Sequence, residues 1–384
     1  MNNKINLNLY GLLSNAFFES SIWMIYLSQN GWNMLEIGFV QAMLNISQVL
    51  TEVPSGYIGD KIGHKKVLNI AQIFIILYSL SYLFVHTKFI VYLGFILYGF
   101  GLSLKSGTDQ ALIYNDIGEG DSKKYTSLIG QYNAFIIIGM SISTLFGGMI
   151  ANVNWSLVFI ITIVIQLVSL IFLNTLPSHH SISNQPSEKT NLIAEIKVFL
   201  LENKNYRHLI YSIVLSQSII SIMYQYCSVF FSSYGISVSH ISIIFFIIYL
   251  ITATISFHIE NILKKINIRN LIISTLTLSI ILSLIINIDM KWISALSFII
   301  VLILFEIFDT SENIILNDTI PNNIRATMLS VSNLLTALLM SIESVAIGIL
   351  AKHINIGSLI SMCLALFLAA SLLIFIISSK RSKN

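Results

Sequence analysis

The sequence predicts an all-α membrane protein, with twelve transmembrane helices arranged as two six-helix bundles. Three observations lead there. Of the 384 residues, 55% are hydrophobic and only 10% are charged, with a mean hydropathy of +0.81. A soluble domain carries roughly 25% charged residues, so a chain this apolar needs lipid as its solvent. Runs of the length a bilayer crossing requires, about 20 mostly apolar residues, recur along the whole chain. The longest polar stretch, Pro177 to Asn191, falls at the middle.

In chain order the runs are Leu9–Gln29, Leu35–Ile58, Val67–Val85, Phe89–Leu112, Ser127–Ala151, Trp155–Leu176, His208–Ser232, Ile241–Ile259, Leu271–Ile288, Trp292–Leu316, Thr327–Ala351 and Gly357–Ser378. The first is too long for a signal-peptide core and lacks a clear small-residue cleavage site, so it reads as the first helix. The eighth and ninth are short. The 21 Lys and Arg residues set the orientation. Lys105 lies inside a run, and Lys88, Lys291 and Lys352 lie in loops of one side. All the others fall on the opposite side, which the positive-inside rule assigns to the cytoplasm together with both termini. An odd number of helices would spoil that alternation.

The polar stretch at the middle holds two of the four prolines, His179, His180 and several Ser and Asn, the composition of a linker. It divides the chain into an N-terminal bundle (1–176), a cytoplasmic linker (177–206) and a C-terminal bundle (207–384). Within the linker, Leu192, Ile193, Ile196, Phe199 and Leu200 recur at helical spacing among Lys189, Glu195, Lys197, Glu202 and Lys204. That pattern predicts a short amphipathic helix on the inner membrane surface. The halves echo each other at an offset of 202 residues: Asn115-Asp116 against Asn317-Asp318, and Lys123 against Arg325. This supports a duplicated six-helix unit.

The composition excludes several classes. A net charge of +3 spread over loops gives no nucleic-acid footprint. Cys227 and Cys363 sit in apolar runs and read as small buried hydrophobes, with no disulfide framework. His179-His180 has no Cys or third His nearby, so no metal site is expected, and no cofactor is called for. No clustered nucleophile suggests an enzyme.

Between the second and third runs stands Gly56-Tyr57-Ile58-Gly59-Asp60-Lys61-Ile62-Gly63-His64-Lys65-Lys66. Gly56 and Gly59 allow close helix approach, and Gly63 permits a tight turn. Asp60 can face a helix N-terminus or a basic group, and the lysines can meet lipid phosphates. The segment resembles motif A of the major facilitator superfamily, G-x-x-x-D-(R/K)-x-G-x-(R/K)-(R/K), at every defining position and in the expected loop. The resemblance implies the major facilitator fold, and a latch formed by Gly56, Gly59, Asp60, Lys61, Gly63, Lys65 and Lys66 between the halves that holds the outward-facing state. In the second half the matching loop keeps Lys264 and Lys265 but not the glycines.

In the fifth run, Gly130, Gly139, Gly147 and Gly148 resemble motif C of drug–proton antiporters, although Ser143-Thr144 replaces its central Gly-Pro. The alternative reading is small residues for helix packing. Those antiporters often carry an arginine four residues before a glycine in the fourth helix; here Phe95 precedes Gly99.

Ionisable residues at bilayer depth are costly and usually functional. Glu19 lies in the first run, Lys105 and Asp109 in the fourth, Glu306, Asp309 and Glu312 in the tenth, and Glu343 in the eleventh. The resemblance implies that helices 1, 4, 7 and 10 line a central cavity. Lys105 and Asp109, at i and i+4, can neutralise each other. Glu19 then either shares Lys105 or holds a proton. Glu306, Asp309 and Glu312 either act in transport or sit in a wet inner vestibule. Tyr10, Trp23, Tyr26, Tyr98, Tyr114, Tyr132, Tyr224 and Tyr226 offer stacking walls or simple packing.

The expectation is a secondary transporter working by alternating access, with a small-molecule substrate, protons as the coupling ion and the lipid bilayer around a monomer. Setting aside Glu36 and Glu52 near span ends, six acids in the spans against one lysine favour proton-coupled export of amphipathic molecules, including drugs; uptake of a nutrient or metabolite is the alternative. High Asn, Ile and Lys usage suggests a bacterial source and the cell (plasma) membrane.

Overall fold

In a computed structural model the structure describes residues 2–117, 122–177, 204–263, 266–288, 290–320 and 325–381. Every regular element among them is helical. The helices are α1 (Asn2–Leu13), α2 (Trp23–Gln29), α3 (Met34–Ile62), α4 (His64–Ser81, followed by a 3-10 turn Tyr82–Phe84), α5 (Lys88–Lys105), α6 (Thr108–Ile117), α7 (Ser122–Val153) and α8 (Trp155–Thr175). They continue as α9 (Lys204–Ser233), α10 (Val238–Leu263), α11 (Ile268–Ile286), α12 (Lys291–Thr319), α13 (Arg325–Leu350) and α14 (Ile356–Arg381). The amphipathic segment expected at Leu192–Leu200 and most of the linker lie outside the described residues.

Ten stretches among the described residues are long and apolar enough to cross a membrane. The first and second predicted runs fall outside that set for different reasons. The first is not one helix: α1 stops at Leu13 and α2 begins only at Trp23, which corrects the continuous reading of Leu9–Gln29. The second, α3, has 29 residues and spans about 43 Å at 1.5 Å per residue, but Glu36, Glu52, Asp60 and Lys61 dilute its hydropathy. With these two, the twelve crossings of the major facilitator fold are accounted for. The fourth run also breaks, at Ser106-Gly107, where Gly107 takes φ +71°.

Local sequence explains several ends. Asn33 and Glu36 form a reciprocal capping box at the start of α3, and Glu36 also pairs with Lys88. Asn154 caps α8 by accepting from the Ser156 amide at 2.8 Å, and Asn267 caps α11 through Arg269. A single residue, Gly63 at φ +91°, separates α3 from α4.

The chain forms two compact units, Met1–Gln185 with Ile236–Phe246, and Pro186–Gly235 with Ile247–Asn384. The division thus places the first nine residues of α10 with the N-terminal unit. In that unit α1 packs on α7 and α8, α4 on α5 and α8, and α3 on α5. One core cluster joins Tyr10, Leu68, Leu112, Tyr132 and Leu173. In the second unit α9 runs along α14 and α13, and α11 packs on α12 and α14. Ser212 and Ser371 lock α9 to α14: each hydroxyl donates to the other residue's carbonyl, at 2.9 and 2.8 Å. Small polar residues of this kind tie helices together where burial of apolar surface gives no advantage over lipid. Ile171, Leu366 and Leu373 point outward with more than half their surface exposed. In a chain of this composition such surfaces are solvated by acyl chains.

Candidate functional site

The polar groups of the first unit converge on the break in the first run. Residues 14 to 22 are non-helical, so their backbone groups need partners from elsewhere. Lys105, the last residue of α5, supplies one bond to the backbone and two to side chains of the break. Its Nζ donates to Ser14 O at 3.1 Å, Ser14 Oγ at 3.0 Å and Asn15 Oδ1 at 3.1 Å. An ammonium has three N–H bonds, so this set saturates it. Gln166 on α8 donates to Leu13 O and Ala16 O at 3.4 Å each, and Gln72 on α4 donates to Gln166 Oε1 at 2.5 Å. Thr162 accepts from the Phe18 amide at 3.3 Å.

Glu19 lies in the same break and is fully buried. Its Oε2 accepts from Thr162 Oγ1 at 2.8 Å, while Oε1 has no hydrogen-bond partner among the described residues. Asp109 stands in the first turn of α6, where Oδ1 accepts from the Gln110 amide at 2.8 Å and Oδ2 from the Tyr132 hydroxyl at 3.2 Å. The left-handed Gly107 between α5 and α6 destroys the i, i+4 relation of Lys105 and Asp109. Among the described residues they form no ion pair within 4 Å, although Asp109 still acts on Lys105 through its charge. Nor does Glu19 share Lys105. The three groups bond to three different places: Glu19 to α8, Lys105 to the break, Asp109 to α7.

Glycines of α7 make room for this arrangement. A Cβ on Gly139 would overlap Leu12 O, and one on Gly147 would overlap Phe18 O. Gly148 lies against Val238 and Ser242, whereas Gly130 faces open space. Aromatic rings line the face of α5 that meets the break. Tyr98 stacks on Tyr78 at 4.1 Å with Phe17 5.6 Å away, and Trp23 lies 5.0 Å from Phe95. Tyr10, Trp23, Tyr26 and Tyr132 are buried, so packing accounts for them, while Tyr98 is half-buried.

In the second unit, adjacent residues of α9 reach two neighbouring helices. Gln217 Nε2 donates to Asp309 Oδ1 at 2.6 Å and to Glu312 Oε1 at 2.5 Å on α12. Asn313 Nδ2 lies 3.3 Å from Asp309 Oδ2. Ser218 donates to Glu343 Oε1 on α13 at 2.8 Å. Glu312 and Glu343 are only 2% and 4% exposed, which places neither in an open vestibule. Glu306 and Asp309 are half-buried. Gln72, Thr162, Gln166, Gln217 and Ser218 were not singled out in the sequence. Their signal was available: polar side chains inside runs where hydrocarbon would exclude them unless partnered.

At the α3–α4 junction, Lys65 donates to Asn174 O at 2.8 Å and also to Leu176 O, the free carbonyls at the end of α8. Lys61 and Lys66 are exposed. A Cβ on Gly59 would fall 3.2 Å from His64 Nδ1. Gly56 and the side chain of Asp60 lie outside those described, as do Lys264 and Lys265.

The comparisons agree with this architecture. The family described as Major Facilitator Superfamily matches residues 9–343. A curated protein named uncharacterized MFS-type transporter YxaM, of Bacillus subtilis (strain 168), is 29% identical over 194 residues, taking in 50% of this chain and 46% of that one. The chain thus spans about half the length of the curated relative it matches. The crystal structure of nucleoside transporter NupG superposes with a TM-score of 0.79 at 17% identity, covering 100% of both chains. That of a D-xylose–proton symporter gives 0.76 at 15% identity, covering 96% of both. At such identities the solved structures establish the fold. With the family match running through most of its length, the chain belongs to the Major Facilitator Superfamily.

Proposed function

We propose that the protein is a proton-coupled uptake permease for a neutral, hydroxyl-bearing small molecule, a nucleoside or a sugar, working by alternating access in the plasma membrane with both termini cytoplasmic. One observation carries the proton coupling. Glu19 and Glu343 are each more than nine-tenths buried, and in each one oxygen accepts from a neutral side chain while the other has no partner among the described residues. Neither is paired with a cation there. A carboxylate held that way costs several kcal/mol, and binding a proton removes the cost. A site that gains and loses a proton as its exposure alternates ties transport to the proton gradient.

The direction and the substrate class are supported by likeness over nearly the whole chain to a nucleoside transporter and a D-xylose–proton symporter. Export of amphipathic compounds draws on the acids of the spans and on the glycines of α7; the acids serve uptake equally, and packing against Leu12 and Phe18 accounts for two of the glycines.

The test is uptake into proteoliposomes with an imposed inside-alkaline pH gradient. Labelled uridine or xylose is expected to accumulate above equilibrium, and a protonophore to abolish the excess. Absence of gradient-driven accumulation across a panel of nucleosides and sugars, with protection of expressing cells against toxic cations, would replace uptake by export.

A further inference from the structure

We infer that Asp309 and Glu312 form a proton-binding pair in which two carboxyl groups share a single proton, clamped by the amide of Gln217. Its role in transport rests on the proton-coupled reading above; the binding itself does not. Both acids lie on α12, three residues apart, and both accept from the same nitrogen, Gln217 Nε2, at 2.6 and 2.5 Å. The bonded oxygens are therefore within about 5 Å of each other, where like charges in a low-dielectric interior repel strongly. Gln217 is neutral and relieves none of that charge. No Lys or Arg reaches either carboxyl among the described residues.

Counting donors locates the proton. The four oxygens of the pair receive Gln217 on Asp309 Oδ1 and Glu312 Oε1, and Asn313 on Asp309 Oδ2. Glu312 Oε2 receives nothing, although Glu312 is 2% exposed. One proton on the pair removes one of two like charges and makes that orphan oxygen part of a neutral carboxyl. A second proton is not needed once the repulsion is gone. The surrounding groups do not supply a counter-charge. Glu306 on α12 adds a third acid, and Tyr224 of α9 lies within electrostatic reach of Glu306, of Cys227 and of Tyr249 on α10. On α11 the only charged side chain is Arg269, in the first turn. Glu343 bonds separately to Ser218.

The test counts protons in the purified full chain, without any substrate. The protein is unfolded at neutral pH in weakly buffered detergent containing a pH-indicating dye. Compared with the parent, Asp309→Asn and Glu312→Gln should each release one proton fewer, and the double variant no fewer than either single. Gln217→Leu, which keeps both acids, should release as many as the parent. Equal release by all variants overturns the proposal. So does a deficit in Glu312→Gln alone, the mark of a solitary buried acid, or a deficit of two in the double variant. Repeating the count in sodium chloride against choline chloride separates a metal cation from a proton: sodium-dependent loss of the released proton in the parent overturns the assignment to a proton. If a carboxamide variant fails to elute as folded protein, Asp309→Glu and Glu312→Asp take its place. The infrared carbonyl band of a protonated carboxyl should then persist in both at the parent's intensity, and its absence from the parent overturns the pair. A positive count with no substrate uptake leaves the pair standing while removing the uptake reading.

Discussion

Lys105 is bonded to Ser14 through both its carbonyl, at 3.1 Å, and its hydroxyl, at 3.0 Å, across 91 residues of chain, whereas Asp109, four residues away, acts on it through its charge without a hydrogen bond. The ammonium therefore acts as a replacement for the helical hydrogen bonds that the first run forfeits. Lys105→Met removes the charged donor from buried Ser14 O and from Asn15 Oδ1, leaving Ser14 Oγ with Asn15 Nδ2 alone. Hydrogen bonds to charged groups contribute about 1.5–3 kcal/mol, so a stability loss of about 3 kcal/mol is expected. Adding Asp109→Asn should not restore it. Thermal melts of the detergent-solubilised protein make the comparison; recovery in the double variant would reinstate an ion pair.

The glycines of α7 separate into two kinds. Gly139→Leu and Gly147→Leu drive side chains into the Leu12 and Phe18 carbonyls, which sit beside the break and cannot retreat without losing Gln166 and Thr162. Overpacking of this type costs about 1–3 kcal/mol. Gly130→Ala meets open space and should be neutral or slightly stabilising through helix propensity. The yield of monodisperse protein on size exclusion is the readout. Equal yields for all three would mean that α7 and the break do not pack as described.

Lys65 and Lys66 are neighbours in sequence with different tasks. Lys65 caps the last carbonyls of α8, so Lys65→Met should lower the melting temperature by a few degrees. Lys66→Met, at an exposed site, should leave it unchanged. The proposed latch predicts a further difference at the same junction: Asp60→Asn should reduce transport at matched levels of folded protein. Normal transport rates in that variant would remove Asp60 from the mechanism.

The orientation proposed from Lys and Arg has a direct check. In a background cleared of Cys227 and Cys363, cysteines at Val153 and Lys352 should react with an impermeant thiol reagent applied to intact cells. Cysteines at Lys66 and Lys204 should react only after the membrane is opened. All four positions lie at or beside described helix ends, and all four are exposed. The inverse labelling pattern would place both termini outside.

The sequence by itself determined where the chain crosses the bilayer. A helix in lipid satisfies its own backbone, so the average hydropathy of some 20 residues is enough to locate a span, and Gly59 to Lys66 marks the junction of α3 and α4. Only the tertiary structure decided where spans are interrupted and which charges meet. Hydropathy is the same for a whole helix and a broken one. The interruption at residues 14 to 22 exists because Lys105, Thr162 and Gln166, far away in sequence, provide the bonds that a helix would have made for itself. For the same reason Lys105 and Asp109 looked like an ion pair along the chain, until Gly107 turned them apart. Asp309 and Glu312 could be read as neighbours on one helix, but the single amide that holds them both comes from Gln217, 92 and 95 residues earlier. Such a partner is chosen by the packing of α9 against α12, because a neutral donor gains its value only when a buried carboxyl is placed within its reach.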